Sequence, residues 1–201
     1  MRITKEANER RNEILDAANE LFMKKGYDKT STNEILEKVG IARGTLYYHF
    51  KSKEEIMDAI IDRFNDEIIR RAENIAHDKT IPVLQRFLMV ISAMKIDNGE
   101  GDHVIEELHK PQNALMHQKM NRALIKGITP VFNDIVSDGI SEGIFNTPYG
   151  YECMEMTITY ANIAFDSDLI DMNSHEGQKK MEALFFNVER MLGAKEGTIT
   201  E

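Results

Sequence analysis

The sequence has little of what disulfide bonds, membrane spans and export signals require. Its single cysteine, Cys153, excludes a disulfide within the chain and fits a reducing compartment. No apolar run approaches the ~20 residues of a membrane-spanning helix, and residues 1–13 lack the apolar stretch of a secretory signal. The four prolines and twelve glycines fall mostly at predicted helix ends, so we expect a cytoplasmic, all-α protein.

Sequence patterns of enzymes are also missing. The chain has no Gly-rich phosphate loop and no Gly-x-Ser-x-Gly elbow, and no histidine lies near Cys153 in sequence. We therefore predict that the protein is not an enzyme and carries no cofactor. The chain of 201 residues shows no internal repeat, and its length favours one or two domains.

Negative charge is in excess overall but is unevenly distributed. Residues 1–53 carry eleven Lys/Arg against eight Asp/Glu, whereas the rest carries fourteen against twenty-six, which together make the net charge of −9. A locally basic region suits contact with phosphates, and an acidic remainder is repelled by them. The simpler reading of the acidic part alone is a solvated surface.

The most informative stretch is residues 30–55, TSTNEILEKVGIARGTLYYHFKSKEE. Ser31 stands three residues before Glu34, which is the spacing of a capping box, so a short helix is predicted to begin there. Gly40 can adopt the positive φ that ends such a helix. A second short helix is then predicted over residues 43–50.

This second helix has two different sides. Leu46 and Phe50 lie four residues apart and form a buried side, while the opposite side presents Arg43, Thr45, Tyr47, Tyr48 and His49. Two short helices around a glycine turn form the helix-turn-helix pattern. Arginine can bind a guanine edge or a phosphate, and tyrosine and threonine suit phosphates and thymine methyl groups. We predict DNA binding; the alternative is a surface hairpin with incidental aromatic residues.

A known family shares these motifs. The segments ILDAANELFMKKGYDKTS and NEILEKVGIARGTLYYHFKSKEEI, and above all GTLYYHFKSKEE, resemble the tetracycline-repressor (TetR) family of bacterial regulators. The phrase GISEGIF at 139–145 is similar to a turn in the regulatory domain of that family. The sequence departs from the family pattern at Thr32, at Leu36 and at Ala42, where the usual serine cap of the second helix is missing.

The resemblance implies an all-α fold, a set of DNA-facing residues and a helical regulatory domain. Lys53, in the first turn of the next helix, is expected to contact a phosphate beside backbone N–H groups. The implied DNA-facing positions are Ser31, Arg43, Gly44, Thr45, Tyr47, Tyr48, His49 and Lys53, and we add Thr32 to the predicted DNA-binding residues. We expect a three-helix DNA-binding head at residues 1–50, with the helix-turn-helix at about 31–50, and a helical-bundle ligand-binding and dimerisation domain at 53–195.

Helices are predicted along most of the remaining chain. The first covers residues 11–25, and the charged arm before it is expected to be disordered. Ser52 and Glu55 form a second capping box that opens a long helix over residues 53–77. Further helices, the first of them capped by Thr80, are predicted over residues 80–95, 104–110, 111–127, 129–143, 149–165 and 174–192.

Two features predict binding surfaces in the second domain. The helix at 149–165 has two apolar faces, and the last helix has an extra aromatic residue, so a second copy of the chain is expected to cover one side, at Met154, Ile158, Phe165, Phe185, Phe186 and Val188. Methionine lines adaptable pockets, and a ligand pocket is expected at Phe87, Met89, Met94, Met116, Met120, Phe132, Met156 and Tyr160. For each pocket residue, the alternative is a place in the core.

One cluster of histidines and glutamates is a candidate metal site. His103 and Glu107 lie four residues apart, a spacing that can hold a metal, and Glu106, His109 and His117 are near in sequence. Solvated or hydrogen-bonded side chains are the alternative, and we assign no metal here.

These features together predict a DNA-binding transcription factor. We expect a repressor that acts as a homodimer on a palindromic operator and is released by a small ligand. The alternatives are an activator of the same fold, and a helical small-molecule-binding protein whose DNA-binding head is vestigial.

Overall fold

The computed structural model describes residues 2–94, 107–165, 171 and 173–199, with side chains from residue 7 onward. The described residues contain helices and no strands, which confirms the predicted all-α class. A single 3₁₀ turn, Pro111–Asn113, is also present among them. The α-helices are α1 (Arg2–Lys25), α2 (Thr32–Val39), α3 (Arg43–His49), α4 (Lys53–His77), α5 (Val83–Ala93), α6 (Ala114–Ser141), α7 (Gly150–Ala164) and α8 (His175–Met191).

The described residues form two compact units. The first takes its residues from Met1–Asn65 and Asp97–Met120, and the second takes its residues from Asp66–Ile96 and Asn121–Glu201. Helices α4 and α6 each contribute residues to both units. The division into domains at 1–50 and 53–195 stays a prediction. Within the described residues, no helix is both long and apolar enough to cross a bilayer.

The core of the first unit is built on α1. Its apolar stripe packs with residues from α2, α3 and α4, all less than a tenth exposed: Ile14, Leu15, Ala18, Phe22, Ile35, Leu46, Phe50, Ile56 and Met57. Each fully buried Leu, Ile, Phe or Met side chain among them contributes ~1.5–3 kcal/mol. Asn113 adds a polar contact to this core. Its Nδ2 donates a hydrogen bond to the carbonyl oxygen of Met23 at 3.1 Å. The 3₁₀ turn is thereby fastened to the end of α1.

The core of the second unit joins α5 to α6, α7 and α8. Phe87 and Phe132 meet edge to face, with ring centroids 5.1 Å apart, and the buried residues around them include Val90, Ile128, Val131, Ile135, Met154, Ile158, Val188 and Leu192. Two charged side chains, those of Arg86 and Glu189, are also buried in this unit, each with 2% of its area exposed. The spacing of apolar residues could not predict that Arg86 is buried, because this charged residue lies on the apolar face of α5.

The predicted break at residues 127–130 is wrong. Helix α6 runs through this region as one 28-residue helix with Pro130 inside it. Pro130 is on the exposed side, whereas Ile128 and Val131 are buried, so packing compensates for the backbone hydrogen bond that proline cannot donate. Gly127 lies against Ile69, and an added Cβ would be 2.2 Å from the Cδ1 of that side chain.

Two predicted helix starts also need correction. Helix α1 begins at Arg2 rather than at residue 11, so the segment expected to be disordered is helical. Helix α5 begins at Val83 with Pro82 as its N-cap, not at Thr80. The backbone N–H and hydroxyl of Thr80 instead donate to Asp78 Oδ1, at 3.0 and 2.6 Å, in a turn before the helix. Of the predicted helix 104–110, only residues from 107 onward are described.

Candidate nucleic-acid interface

The start of α2 is held by a complete capping box. The Ser31 hydroxyl accepts from the Glu34 backbone N–H at 3.3 Å, and the Glu34 carboxylate accepts from the Ser31 backbone N–H at 2.8 Å. Lys25, from the end of α1, pairs with the same carboxylate. Lys25 first, and then the Ser31 donors, lower the pKa of Glu34 to about 2. The predicted capping box is confirmed, and the Ser31 hydroxyl is already engaged in it.

The turn between α2 and α3 follows the predicted chemistry. Gly40 has φ +72°, and its N–H donates to the carbonyl oxygen of Leu36 at 2.8 Å. Helix α3 then begins at Arg43 with Ala42 as an N-cap that makes no side-chain hydrogen bond. Leu46 is buried, which anchors α3 in the first unit. The second capping box is half formed, since the Ser52 hydroxyl accepts from the Glu55 N–H while the Glu55 carboxylate accepts from the Lys51 N–H.

The outer side of α3 is aromatic, cationic and exposed. Tyr48 is 78% exposed and Tyr47 is 46% exposed, although both are large rings. Arg43 and Gly44 are exposed as well, and an added Cβ at Gly44 would meet nothing within 4 Å. The remaining predicted DNA-facing residues, Thr32, Thr45 and His49, are half-buried. Exposed aromatic surface of this kind is typical of a binding site.

Arg43 does not extend freely into solvent. Its Nη2 donates to Asn33 Oδ1 at 2.9 Å, which links the first residue of α3 to the first turn of α2. Sequence reasoning did not select Asn33, and the only available signal was its place one residue before the capping-box glutamate. The contact joins the two helices on the surface of the motif.

Lys53 makes contacts that differ from its predicted role. Its ammonium group donates to the carbonyl oxygens of Tyr27 and Thr30, at 2.7 and 2.9 Å, and lies 4.1 Å from the centre of the Tyr27 ring. These contacts tie the start of α4 to the loop between α1 and α2. Lys53 therefore has a role in the fold, and its contact with a phosphate stays a prediction.

The predicted ligand-pocket residues occupy different environments. Met116 and Met120 are buried in the first unit, whereas Phe87 and Phe132 are buried in the core of the second. The others, Met89, Met94, Met156 and Tyr160, are exposed or half-buried. The pocket stays a prediction.

The predicted dimer surface needs correction at three positions. Met154, Ile158 and Val188 are buried in the core of the second unit, so they leave no surface for a partner. Phe165 and Phe185 are half-buried, and Phe186 is 47% exposed. Both faces of α7 are apolar, and periodicity could not show which one packs against α8.

The other apolar face of α7 is the one exposed to solvent. A shallow groove of about 460 Å³ lies along it, lined by Glu155, Met156, Thr159, Tyr160, Ile163 and Ala164. Met156, Tyr160 and Ile163 are each more than half exposed. Large apolar side chains exposed together indicate an interaction surface.

The candidate metal cluster lies partly outside the described residues, because His103 and Glu106 are not described. The rings of His109 and His117 meet edge to face, with centroids 4.7 Å apart. Across the described ranges, no group of three or more His, Cys, Asp or Glu residues is placed to hold a metal ion.

The capped helix-turn-helix and the exposed face of α3 define a helix-turn-helix DNA-binding protein. Comparison with known proteins refines this class. A family model of bacterial regulatory proteins of the tetR family matches residues 14–60, and a model of the tetracyclin repressor-like C-terminal domain matches residues 95–186. The chain belongs to the tetR family and is a DNA-binding transcriptional regulator.

Curated relatives and solved structures agree with this assignment. The transcriptional repressor KstR2 of Mycobacterium tuberculosis is 30% identical over 152 residues, which cover 72% of this chain and 73% of the repressor. The fatty acid metabolism regulator of Bacillus subtilis is 30% identical over 135 residues, 65% of this chain and 68% of its own. The structure of FadR from Bacillus subtilis with stearoyl-CoA has a TM-score of 0.56 at 22% identity, covering 92% of this chain and 98% of FadR.

Proposed function

We propose that this regulator is a repressor that binds a palindromic operator as a homodimer and is released by a small-molecule effector. The observation that carries the proposal is the exposed face of α3, where Arg43, Tyr47 and Tyr48 project from a capped helix-turn-helix. In a dimer, two such helices would enter successive major grooves ~34–36 Å apart, or a multiple of this distance.

Fluorescence anisotropy with duplexes from upstream of the gene tests DNA binding. We expect salt-sensitive binding, because phosphate contacts release counterions. We expect Tyr48→Ala to weaken it about tenfold or more, because a hydrogen bond to a charged group such as a phosphate contributes ~1.5–3 kcal/mol. Tyr151→Ala is the matched control, since Tyr151 is an exposed tyrosine of α7. Equal affinities for the two variants would contradict the assignment of α3 as the recognition helix.

The exposed face of α7, together with Phe186 of α8, supports the homodimer. A second copy covering Met156, Tyr160 and Ile163 would remove their apolar surface from water. Sedimentation tests this: Tyr160→Glu should shift the protein toward monomer, while Tyr151→Glu, which lies on the same helix but outside the groove, should not. A stable dimer with Tyr160→Glu would show that copies associate elsewhere.

The name of one relative directs the choice of effector. Because the Bacillus subtilis relative regulates fatty acid metabolism, and FadR of that organism was solved with stearoyl-CoA, we propose a long-chain acyl-CoA as the effector class. Stearoyl-CoA added to the DNA complex should lower its anisotropy, and coenzyme A alone should not. A reporter assay in a deletion strain then separates a repressor, whose loss raises transcription, from an activator.

A further inference from the structure

The contact between Asn33 and Arg43 has features that helix stability does not explain. Arg43 is the first residue of α3, where the positive end of the helix dipole disfavours a cation. The N-cap residue, Ala42, has no side-chain acceptor that could compensate. Arg43 and Tyr47 lie four residues apart and so share one side of α3, the side that is exposed. A cation at this position does not stabilise the helix, so its function lies elsewhere.

The chemistry of the partner is informative. An acidic residue does lie nearby on α2, but the carboxylate of Glu34 is already engaged by Ser31 and Lys25. Arg43 instead donates to the neutral amide oxygen of Asn33 at 2.9 Å. A neutral acceptor orients a guanidinium group without cancelling its charge, whereas a carboxylate would do both.

In this orientation, the Arg43 guanidinium group still has the N–H donors required to recognise a base. A guanidinium group has five N–H donors, so one hydrogen bond to Asn33 still leaves a pair for the O6 and N7 of guanine. The Asn33 amide nitrogen carries two further N–H donors on the same surface, and these suit a phosphate oxygen or a purine N7. Both side chains are exposed, so a duplex can reach them.

We propose that Asn33 is a positioning residue that aims Arg43 at a guanine and thereby sets the base preference at one position of each half-site. The inference rests on the proposed DNA binding through α3. It assigns a specificity role to a residue of α2 that acts through a residue of α3, not through the core.

Selection from a randomised duplex library with the full-length protein tests this role. The wild type should enrich guanine at one position of each half-site, and Arg43→Ala should abolish that preference. Asn33→Ala should lose the same preference, on the order of tenfold or more in discrimination, while other positions and affinity for mixed-sequence DNA stay nearly unchanged. The double variant Asn33→Ala/Arg43→Ala should discriminate no less well than Arg43→Ala alone.

Two controls separate positioning from folding. Asn173→Ala removes an exposed asparagine of the second unit and should leave the selected sequence unchanged, and the thermal midpoint of Asn33→Ala should match that of the wild type. Asn33→Asp should keep the orientation but neutralise the charge, which lowers affinity for all sequences and reduces the salt slope by about 0.9.

Three results would overturn the inference. Asn33→Ala could keep the guanine preference, or it could lose preference at every position equally. In both cases the wild type still selects a site, so the proposed function survives. A wild-type protein that selects no sequence and shows no salt-sensitive binding would overturn the proposed function together with this inference.

Discussion

The helix-turn-helix and the second unit are both helical, but the contacts that shape them span different distances along the chain. In the helix-turn-helix, the bond from Arg43 to Asn33 spans ten residues and the capping box of Ser31 and Glu34 spans three. In the second unit, the buried side chain of Arg86 reaches Asp138, 52 residues away. Local signals therefore predict the helix ends of the first region, but not the packing of the second.

The largest expected effect is the loss of stability on removing Arg86, which makes the long-range contacts of the second unit. Arg86 Nη1 donates to the carbonyl oxygen of Ala76 and to Asp138 Oδ2, both at 2.6 Å, while its Nε donates to the carbonyl oxygen of Ile81 at 3.0 Å. Arg86→Leu leaves the carbonyl oxygens of Ala76 and Ile81 without this donor and removes one of the two cations at Asp138, so it should lower the free energy of unfolding by about 3–5 kcal/mol. Urea unfolding followed by far-UV circular dichroism measures it.

Lys79→Ala is the matched control, because Lys79 pairs with the same carboxylate but is 57% exposed. The pKa of Asp138 is lowered by Lys79 first and by Arg86 to a smaller extent, against an opposing effect of burial. Stability should nevertheless follow burial, and Lys79→Ala should cost less than about 1 kcal/mol. Equal losses for the two variants would mean that the buried arginine adds nothing beyond its charge.

Local chemistry explains which predictions held. The capping box, the turn at Gly40 and the bounds of α4 each depend on residues within about four positions of one another, so they could be inferred directly. Which apolar face of α7 is buried could not be inferred, because it depends on the residues that α8 presents across the core. Likewise, the packing of Ile128 and Val131 overrides the tendency of Pro130 to end a helix.

In the candidate site too, some features follow from local sequence and others depend on distant residues. The exposure of Arg43 and Tyr48 follows from the spacing of Leu46 and Phe50 on the opposite side of α3. The role of Lys53 does not follow from spacing, because its acceptors are carbonyl oxygens 23 and 26 residues earlier in the chain.

Two glycines with positive φ provide the second test, one from each region. Gly40 has φ +72° and an added Cβ there would meet nothing within 4 Å, whereas at Gly193, with φ +63°, it would lie 2.2 Å from the backbone oxygen of Asn146. Gly40→Ala should lower the free energy of unfolding by ~1–2 kcal/mol, because it strains the backbone without causing a collision. Gly193→Ala adds a collision with backbone and should cost about 3 kcal/mol or more. Equal midpoints in thermal unfolding would contradict this difference.

The third test asks whether Lys53 serves the fold or the DNA. Lys53→Met removes two hydrogen bonds from a charged donor and its contact with the Tyr27 ring, so it should cost about 2 kcal/mol of stability. The slope of log K against log salt for a mixed-sequence duplex should stay the same. Lys51→Met, at an exposed lysine, is the control for stability. A salt slope reduced by about 0.9 would instead support the predicted phosphate contact.

The smallest expected effect concerns the link between α1 and α2 and depends on pH. Because Lys25 and Ser31 lower the pKa of Glu34 from 4.5 to about 2, the folded state favours the ionised carboxylate. Its contribution is fully present above pH 4.5 and is lost as the pH falls toward 2. Glu34→Gln can still cap the helix but cannot form an ion pair with Lys25, so it should be less stable than the wild type at pH 7. The difference in free energy of unfolding between the two should narrow steadily below pH 4.5.

Glu37→Gln, on the same helix, is the control, and urea unfolding at several pH values measures both. A gap for Glu34→Gln that stays constant down to pH 2.5 would mean that the carboxylate acts only as a hydrogen-bonding cap, with no help from its charge.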